Sequence, residues 1–248
     1  MSKPEFELIY WPSMPGRGEP IRLLFEATGT SYTDTTDEAV VVSYITPSPT
    51  SPTSSLPSLA PPILLHANRT LSQTAAILFY LSPLLGLSPA GFGEHQMRAL
   101  ILTALDLQDE AHNTHHPVGV SLFYADQLAE AARAAEIFRR ERVGKFFKYF
   151  EGVLGAAEGE GKGKGGWLLG GGLSAADLVL WQVVDGLKYA FPKATARVLA
   201  ECPRLERHYG LVKAVEGVKS YLESGRRRKY DMGVYRYYPE LDDQEGDE

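Results

Sequence analysis

The sequence predicts a small α/β domain followed by a larger all-helical one. Two observations carry the prediction. Strand-like apolar runs occur only before about residue 84, whereas helical-period apolar stripes dominate from Met97 onward. A third supports it: residues 85–93 are rich in Gly, Pro and Ser, the composition of a connection between domains. The predicted organisation is an α/β domain over residues 1–84, a linker over 85–93, a helical domain over 94–240 and an acidic, disordered tail over 241–248.

The elements of the first domain follow in order. Phe6, Leu8 and Tyr10 alternate with Glu7 and Ile9 and read as a first strand. The stretch Trp11-Pro12-Ser13-Met14-Pro15-Gly16-Arg17-Gly18 must then be a loop, because its prolines and glycines suit neither helix nor strand. Pro20 fits an early helical position, Ile21, Leu24 and Phe25 form an apolar stripe, and Gly29 ends it. Tyr32 opens a second strand. Residues 46–62 are dense in Ser, Thr and Pro and read as a loop. Ile63-Leu64-Leu65 and Thr70-Leu71 make a third and fourth strand around the turn Ala67-Asn68-Arg69, and a helix over 75–81 stops near Pro83.

In the second domain, Met97, Leu100, Ile101, Ala104 and Leu105 recur at helical spacing, and Pro117 ends that helix after His116. A long helical stretch covers 125–158, and residues 159–166 form a Gly/Lys loop. Ser174 with Asp177 three residues later is a helix-start signature, since the hydroxyl and the acid both suit free N–H groups. Shorter helices follow over 195–201, 205–215 and 218–222, and the run Arg226-Arg227-Arg228-Lys229 reads as a solvated helix end.

Composition excludes several function classes. With 31 acidic and 25 basic side chains among 248 residues, the formal charge of −6 argues against nucleic acid and anionic membrane surfaces as partners. The single cysteine, Cys202, permits no intrachain disulfide, and the polar N-terminus lacks a signal-peptide core, so a cytoplasmic location is expected.

Several motifs, in order, resemble those of cytosolic glutathione transferases. Tyr10-Trp11 followed by Gly16-Arg17-Gly18-Glu19-Pro20-Ile21-Arg22 is similar to the start of the tyrosine-type classes, mu and sigma. Pro62-Ile63-Leu64, Leu71-Ser72-Gln73-Thr74-Ala75-Ala76-Ile77 and Tyr80-Leu81 resemble the family's glutathione-binding segments. The segment from Trp167 to Leu178 resembles its second-domain folding motif, Ser220 to Ser224 its last-helix signature, and Arg236 to Leu241 a fungal branch. The resemblance implies a thioredoxin-like N-terminal domain that binds glutathione as co-substrate, an all-α acceptor-binding domain, a small-molecule electrophile and a homodimer.

It also implies site residues. A glutathione thiol resembles a free cysteine, with a pKa near about 8.5, so an enzyme must favour the thiolate. Lowering that pKa by two units needs about 2.7 kcal/mol, within reach of one charge-assisted hydrogen bond in a partly dry site. Tyr10, at the end of the first strand, is the candidate donor. The loop after it is one residue longer than in the mu or sigma pattern, which leaves Ser13 as an alternative. Arg17 lies in the same loop. Gln73 and Thr74 sit at a helix start, where N–H groups and the dipole suit the γ-glutamyl carboxylate, and the Thr74 hydroxyl can add a bond. Pro62 corresponds to the family's cis-proline. The residue before it, Pro61, has no N–H to offer glutathione, which predicts weaker binding than in relatives with a donor there. Asp106 matches an aspartate that reaches the neighbouring subunit's glutathione in sigma-like relatives.

Glu110, His112 and His116 fall on the helix that borders the acceptor pocket in transferases. His112, His115 and His116 lie at i, i+3 and i+4, so their rings can face one way and hold a divalent metal. Helix C-termini favour histidine without any metal, so no metal is assigned from the sequence. The functional expectation is transfer of glutathione to an apolar electrophile. The alternatives are glutathione-dependent double-bond isomerisation of a fungal biosynthetic intermediate and non-catalytic ligand binding, the latter favoured by Pro61 and the irregular second-strand region.

Overall fold

A computed structural model of the chain describes residues 5–46, 57–159 and 165–244. Most of the predicted 46–62 loop, part of the 159–166 loop and the last four residues of the acidic tail lie outside these. The packing divides the chain into two units, residues 1–88 with 215–229, and 89–214 with 230–248.

The first unit contains β1 (Phe6–Ile9), α1 (Glu19–Thr28), β2 (Tyr32–Thr35), α2 (Glu38–Ile45), β3 (Ile63–His66), β4 (Arg69–Ser72) and α3 (Thr74–Leu84). Its sheet has the order β2-β1-β3-β4. β1 and β2 are parallel, with Phe6 opposite Tyr32, and α1 crosses between them. β3 runs antiparallel to β1, pairing Leu64 with Leu8, and β4 returns antiparallel to β3. This is the βαβ-ββα arrangement of thioredoxin-like domains. Leu8, Ile9, Ile63 and Leu64 are buried at the middle of the sheet, and each such side chain contributes about 1.5–3 kcal/mol of transfer free energy. Gly29 adopts φ 65°, the left-handed conformation that ends α1 without steric cost.

Two elements differ from the sequence expectation. α2 has no predicted counterpart, because its core is three consecutive β-branched valines with no helical stripe. It forms because Asp37 caps it, accepting a hydrogen bond from the Val40 N–H at 3.1 Å, and because Val41 packs on Ile9 and Ile63. α3 ends near Pro83 as expected but extends past the predicted 75–81 span to Leu84; Pro83 sits in the last turn, and the Leu85 N–H bonds to the Leu81 carbonyl across it at 2.9 Å.

The second unit contains α4 (Phe92–Asn113), α5 (Leu128–Ile137), α6 (Val143–Gly159), α7 (Ala175–Ala190), α8 (Pro192–Leu199) and α9 (Pro203–Lys213). The predicted 125–158 helix is two helices joined by a π turn over Phe138–Arg142. α7 is buried on nearly every side and forms the centre of this unit, as its apolar sequence requires. Its start is as predicted: the Asp177 carboxylate accepts from the Ser174 N–H at 2.8 Å, the Ser174 hydroxyl at 2.6 Å and the Leu168 N–H at 2.9 Å.

α10 (Glu216–Glu223) groups with the first unit, not with the helical domain in which the sequence reading placed it. The reason is close contact with α1. A Cβ at Gly217 would collide with the Glu26 carbonyl, so only glycine allows this approach. The basic run after α10 is also not a solvated helix end. Arg226 pairs with Glu26, Arg227 with Glu19 at 3.3 Å and Arg228 with Asp34 at 2.7 Å.

The first residues of the acidic tail are built into the second unit. Leu241 is buried, and Asp242 accepts from the N–H groups of Lys193 and Ala194 at 2.8 and 3.1 Å, capping α8. Asp243 pairs with Arg139 at 3.1 Å and Arg197 at 2.8 Å. Carboxylates placed at a helix start and beside guanidinium groups are held, which a composition-based disorder reading does not anticipate. Among the described residues no helix is long and apolar enough to cross a membrane.

Candidate glutathione site

Tyr10 follows β1 directly, and its N–H bonds to the Thr35 carbonyl of β2 at 3.1 Å. The phenol is buried against Gly16 and Gly18; a Cβ at Gly16 would run into the phenol oxygen, and Gly16 has φ 50°. These two glycines make the space for the ring. The Tyr10 oxygen accepts a hydrogen bond from the Arg17 N–H at 2.8 Å, which leaves its own proton to donate. Burial raises the phenol pKa above 10, against smaller opposing effects from the Arg17 N–H and the Arg17 and Arg22 charges. The group therefore stays protonated at neutral pH.

Arg17 connects this phenol to the start of α3. Its carbonyl accepts from the Thr74 hydroxyl at 3.0 Å. The Thr74 proton is thus directed at the loop, and the hydroxyl holds Arg17 in place. The first intrahelical bond of α3 runs from the Ile77 N–H to the Gln73 carbonyl, so the N–H groups of Thr74, Ala75 and Ala76 are helix N-terminal donors. Gln73 is held at φ 76°, ψ 123°, outside the favoured regions for a side-chain-bearing residue. The Pro61–Pro62 peptide is cis, at the entry to β3. Ser13 is exposed at φ 64°.

The loop holding Tyr10 is fastened by charges that the sequence reading did not single out. Arg22, fully buried on α1, donates from Nη1 to the Pro15 carbonyl at 3.0 Å and stands 5.6 Å from the Tyr10 ring centroid. The same guanidinium binds Asp34 and the fully buried Glu19. Burial disfavours the Arg22 charge, yet the nearby Asp34 and Glu19 carboxylates raise its pKa overall. The available signal was the Glu19/Arg22 spacing at i, i+3 in the segment Gly16 to Arg22.

In the second unit, Asp106 is exposed on α4. Glu110 and His112 do not share a face of α4, since residues two apart on a helix point in different directions. Glu110 instead binds Arg142 through both oxygens, at 2.7 and 2.6 Å. His112, His115 and His116 do come together, with ring centroids 5.0, 5.2 and 4.9 Å apart. Burial, aided by repulsion from His112, Arg236 and His116, pulls the His115 pKa down to about 3. His116 is shifted down as well, chiefly by its own desolvation.

A thioredoxin-like unit with a cis-proline at β3, together with a helical unit built around a capped central helix, is the glutathione transferase fold. Residues 112–225 match the family model described as glutathione S-transferase, C-terminal domain. Solved structures agree over most of the chain. A Pi-class glutathione S-transferase of Onchocerca volvulus superposes with TM-score 0.67 at 18% identity, covering 88% of this chain and 92% of that one. A glutathione S-transferase of the hookworm Necator americanus, described as monomeric, gives 0.65 at 20% identity, with 91% and 100% covered. Prostaglandin synthase D of Nilaparvata lugens gives 0.62 at 17%, with 90% and 100% covered. At these identities the likeness is one of fold. No curated protein matches the sequence.

Proposed function

We propose that this protein is a glutathione transferase that binds reduced glutathione on its first unit and activates the thiol for attack on an apolar electrophile. One observation carries the reading: Arg17 joins the two ends of the candidate site, donating its N–H to Tyr10 and accepting the Thr74 hydroxyl. In this reading the neutral Tyr10 phenol donates its proton to the thiolate, and the Arg17 N–H makes that phenol a better donor by bonding to its oxygen. The N-terminal N–H groups of α3 receive the γ-glutamyl carboxylate, aided by the helix dipole. Pro61 offers only its carbonyl to the cysteinyl part. Asp106, exposed on α4, is available to a second copy of the chain, and a homodimer belongs to the same proposal.

Tyr10→Phe tests this reading. Turnover with a model electrophile and the ultraviolet absorbance of bound thiolate should fall ten-fold or more, while glutathione still binds. Product analysis separates conjugation, which leaves a stable thioether, from double-bond isomerisation, which returns the glutathione. A second reading, ligand binding without catalysis, is supported by the deep burial of Tyr10 (5% exposed) and the missing Pro61 donor. It predicts that the parent protein binds apolar ligands but turns over no electrophile.

A further inference from the structure

We propose that His112, His115 and His116 form a divalent transition-metal site of the zinc class, with three imidazole ligands and one open coordination position. One nitrogen from each ring lies within 4.8 Å of the others, and among the described residues no other group of three His, Cys, Asp or Glu meets the same spacing. A tetrahedral zinc site with Zn–N of about 2.0–2.1 Å needs ligand nitrogens about 3.3–3.4 Å apart. A bound ion would therefore draw the three nitrogens closer together than they stand here. The site arises where α4 ends: His112 is in its last turn, and His115 and His116 follow the Thr114 cap, which keeps helical dihedrals.

The surroundings hold the rings as ligands are held. His115 Nε2 is 3.3 Å from the Gly233 carbonyl, a bond that fixes the ring and leaves Nδ1 as a ligand atom. His116 Nδ1 is 3.3 Å from the Gln127 amide nitrogen. Gln127 is itself buried and fixed, accepting from the Val118 N–H at 2.9 Å and donating to the Gly119 carbonyl at 3.2 Å. His112 is partly exposed, which gives an ion a path in. Arg236 donates to the same Gly233 carbonyl as His115, at 3.3 Å, so a guanidinium stands beside the cluster. A cation there is best balanced by an anionic oxygen in the open position: hydroxide, or a carboxylate or enolate of a bound molecule.

The experiment uses full-length, tag-free protein stripped with a chelator and titrated first with Co²⁺ as a spectroscopic probe, then with Zn²⁺. The expected result is one equivalent bound per chain, visible absorption bands of four- or five-coordinate Co²⁺, and their loss when Zn²⁺ displaces it. Because His115 is buried and its removal can harm folding, the deciding variants are His112→Ala and His116→Ala. Each should weaken metal binding at least ten-fold while the thermal midpoint of the metal-free protein stays unchanged. Absence of stoichiometric binding, or binding that survives the double substitution, overturns the proposal. Metal binding is unaffected by Tyr10→Phe, so failure here and failure of the transferase reading are separate results.

Discussion

Arg22 grips Asp34 with two nitrogens, Nε to Oδ2 at 3.0 Å and Nη2 to Oδ1 at 3.2 Å, and so ties α1 to β2. The same guanidinium holds the Pro15 carbonyl and thereby the loop that packs around the candidate phenol. A lysine in its place keeps the charge but cannot reproduce the planar fork. Arg22→Lys should lower stability by about 3 kcal/mol, toward the cost of breaking a buried pair, and denaturant unfolding measures it. Loss well under about 1 kcal/mol would mean that Arg227 and Arg228 satisfy Glu19 and Asp34 alone.

Thr74 offers a finer test of how the site is held. Thr74→Val keeps the shape and removes the donor to the Arg17 carbonyl, whereas Thr74→Ser keeps the donor. We expect the valine variant to lose about 1 kcal/mol of stability and to show a several-fold higher KM for glutathione, with the serine variant close to the parent. Equal KM values in all three proteins would remove Arg17 from the account.

The pH dependence follows from the direction of the Tyr10 shift. Burial raises the phenol pKa above its unfolded value of 10.0. The contribution of the neutral phenol to folding is fully present below that unfolded value and is lost as pH rises through the higher folded one. Turnover should therefore climb as the bound thiol ionises and stay on a plateau to about pH 10. A descending limb below about pH 9, absent in Tyr10→Phe, would show that the site lowers the phenol pKa instead of raising it and would overturn this account.

Asp242 should matter far more than a tail residue. Asp242→Ala removes the acceptor from two N–H groups at the start of α8 and should cost about 1–2 kcal/mol, visible as a lower thermal midpoint. Asp242→Asn, which keeps an acceptor, should recover part of the loss.

What the sequence made legible was whatever local chemistry encodes. The β1 alternation, the Gly29 stop and the Ser174/Asp177 cap are each written in a few adjacent residues, and each is found in place, while the cis Pro61–Pro62 bond agrees with what the family resemblance implies. The missed features depend on partners far apart in the chain. α2 owes its form to Val41 meeting Ile9 and Ile63, and the arginines after α10 find carboxylates about two hundred positions away. For the candidate site, Tyr10 and Thr74 are proposed from residue type and place, and the structure adds that Arg17 links them. That Thr74 spends its hydroxyl on Arg17, and that Glu110 turns to Arg142, are outcomes of packing that no spacing rule contains.

The seating of α10 on α1 has a consequence for biosynthesis. The strands of the first unit emerge early from the ribosome with Arg22 already facing Glu19 and Asp34, but the helix that covers Glu26, and the second partners of those acids, Arg227 and Arg228, are translated some two hundred residues later. Until then α1 lacks the cover of α10 and the two carboxylates share a single guanidinium, so a fragment ending at Ser88 lacks part of the packing that completes this unit.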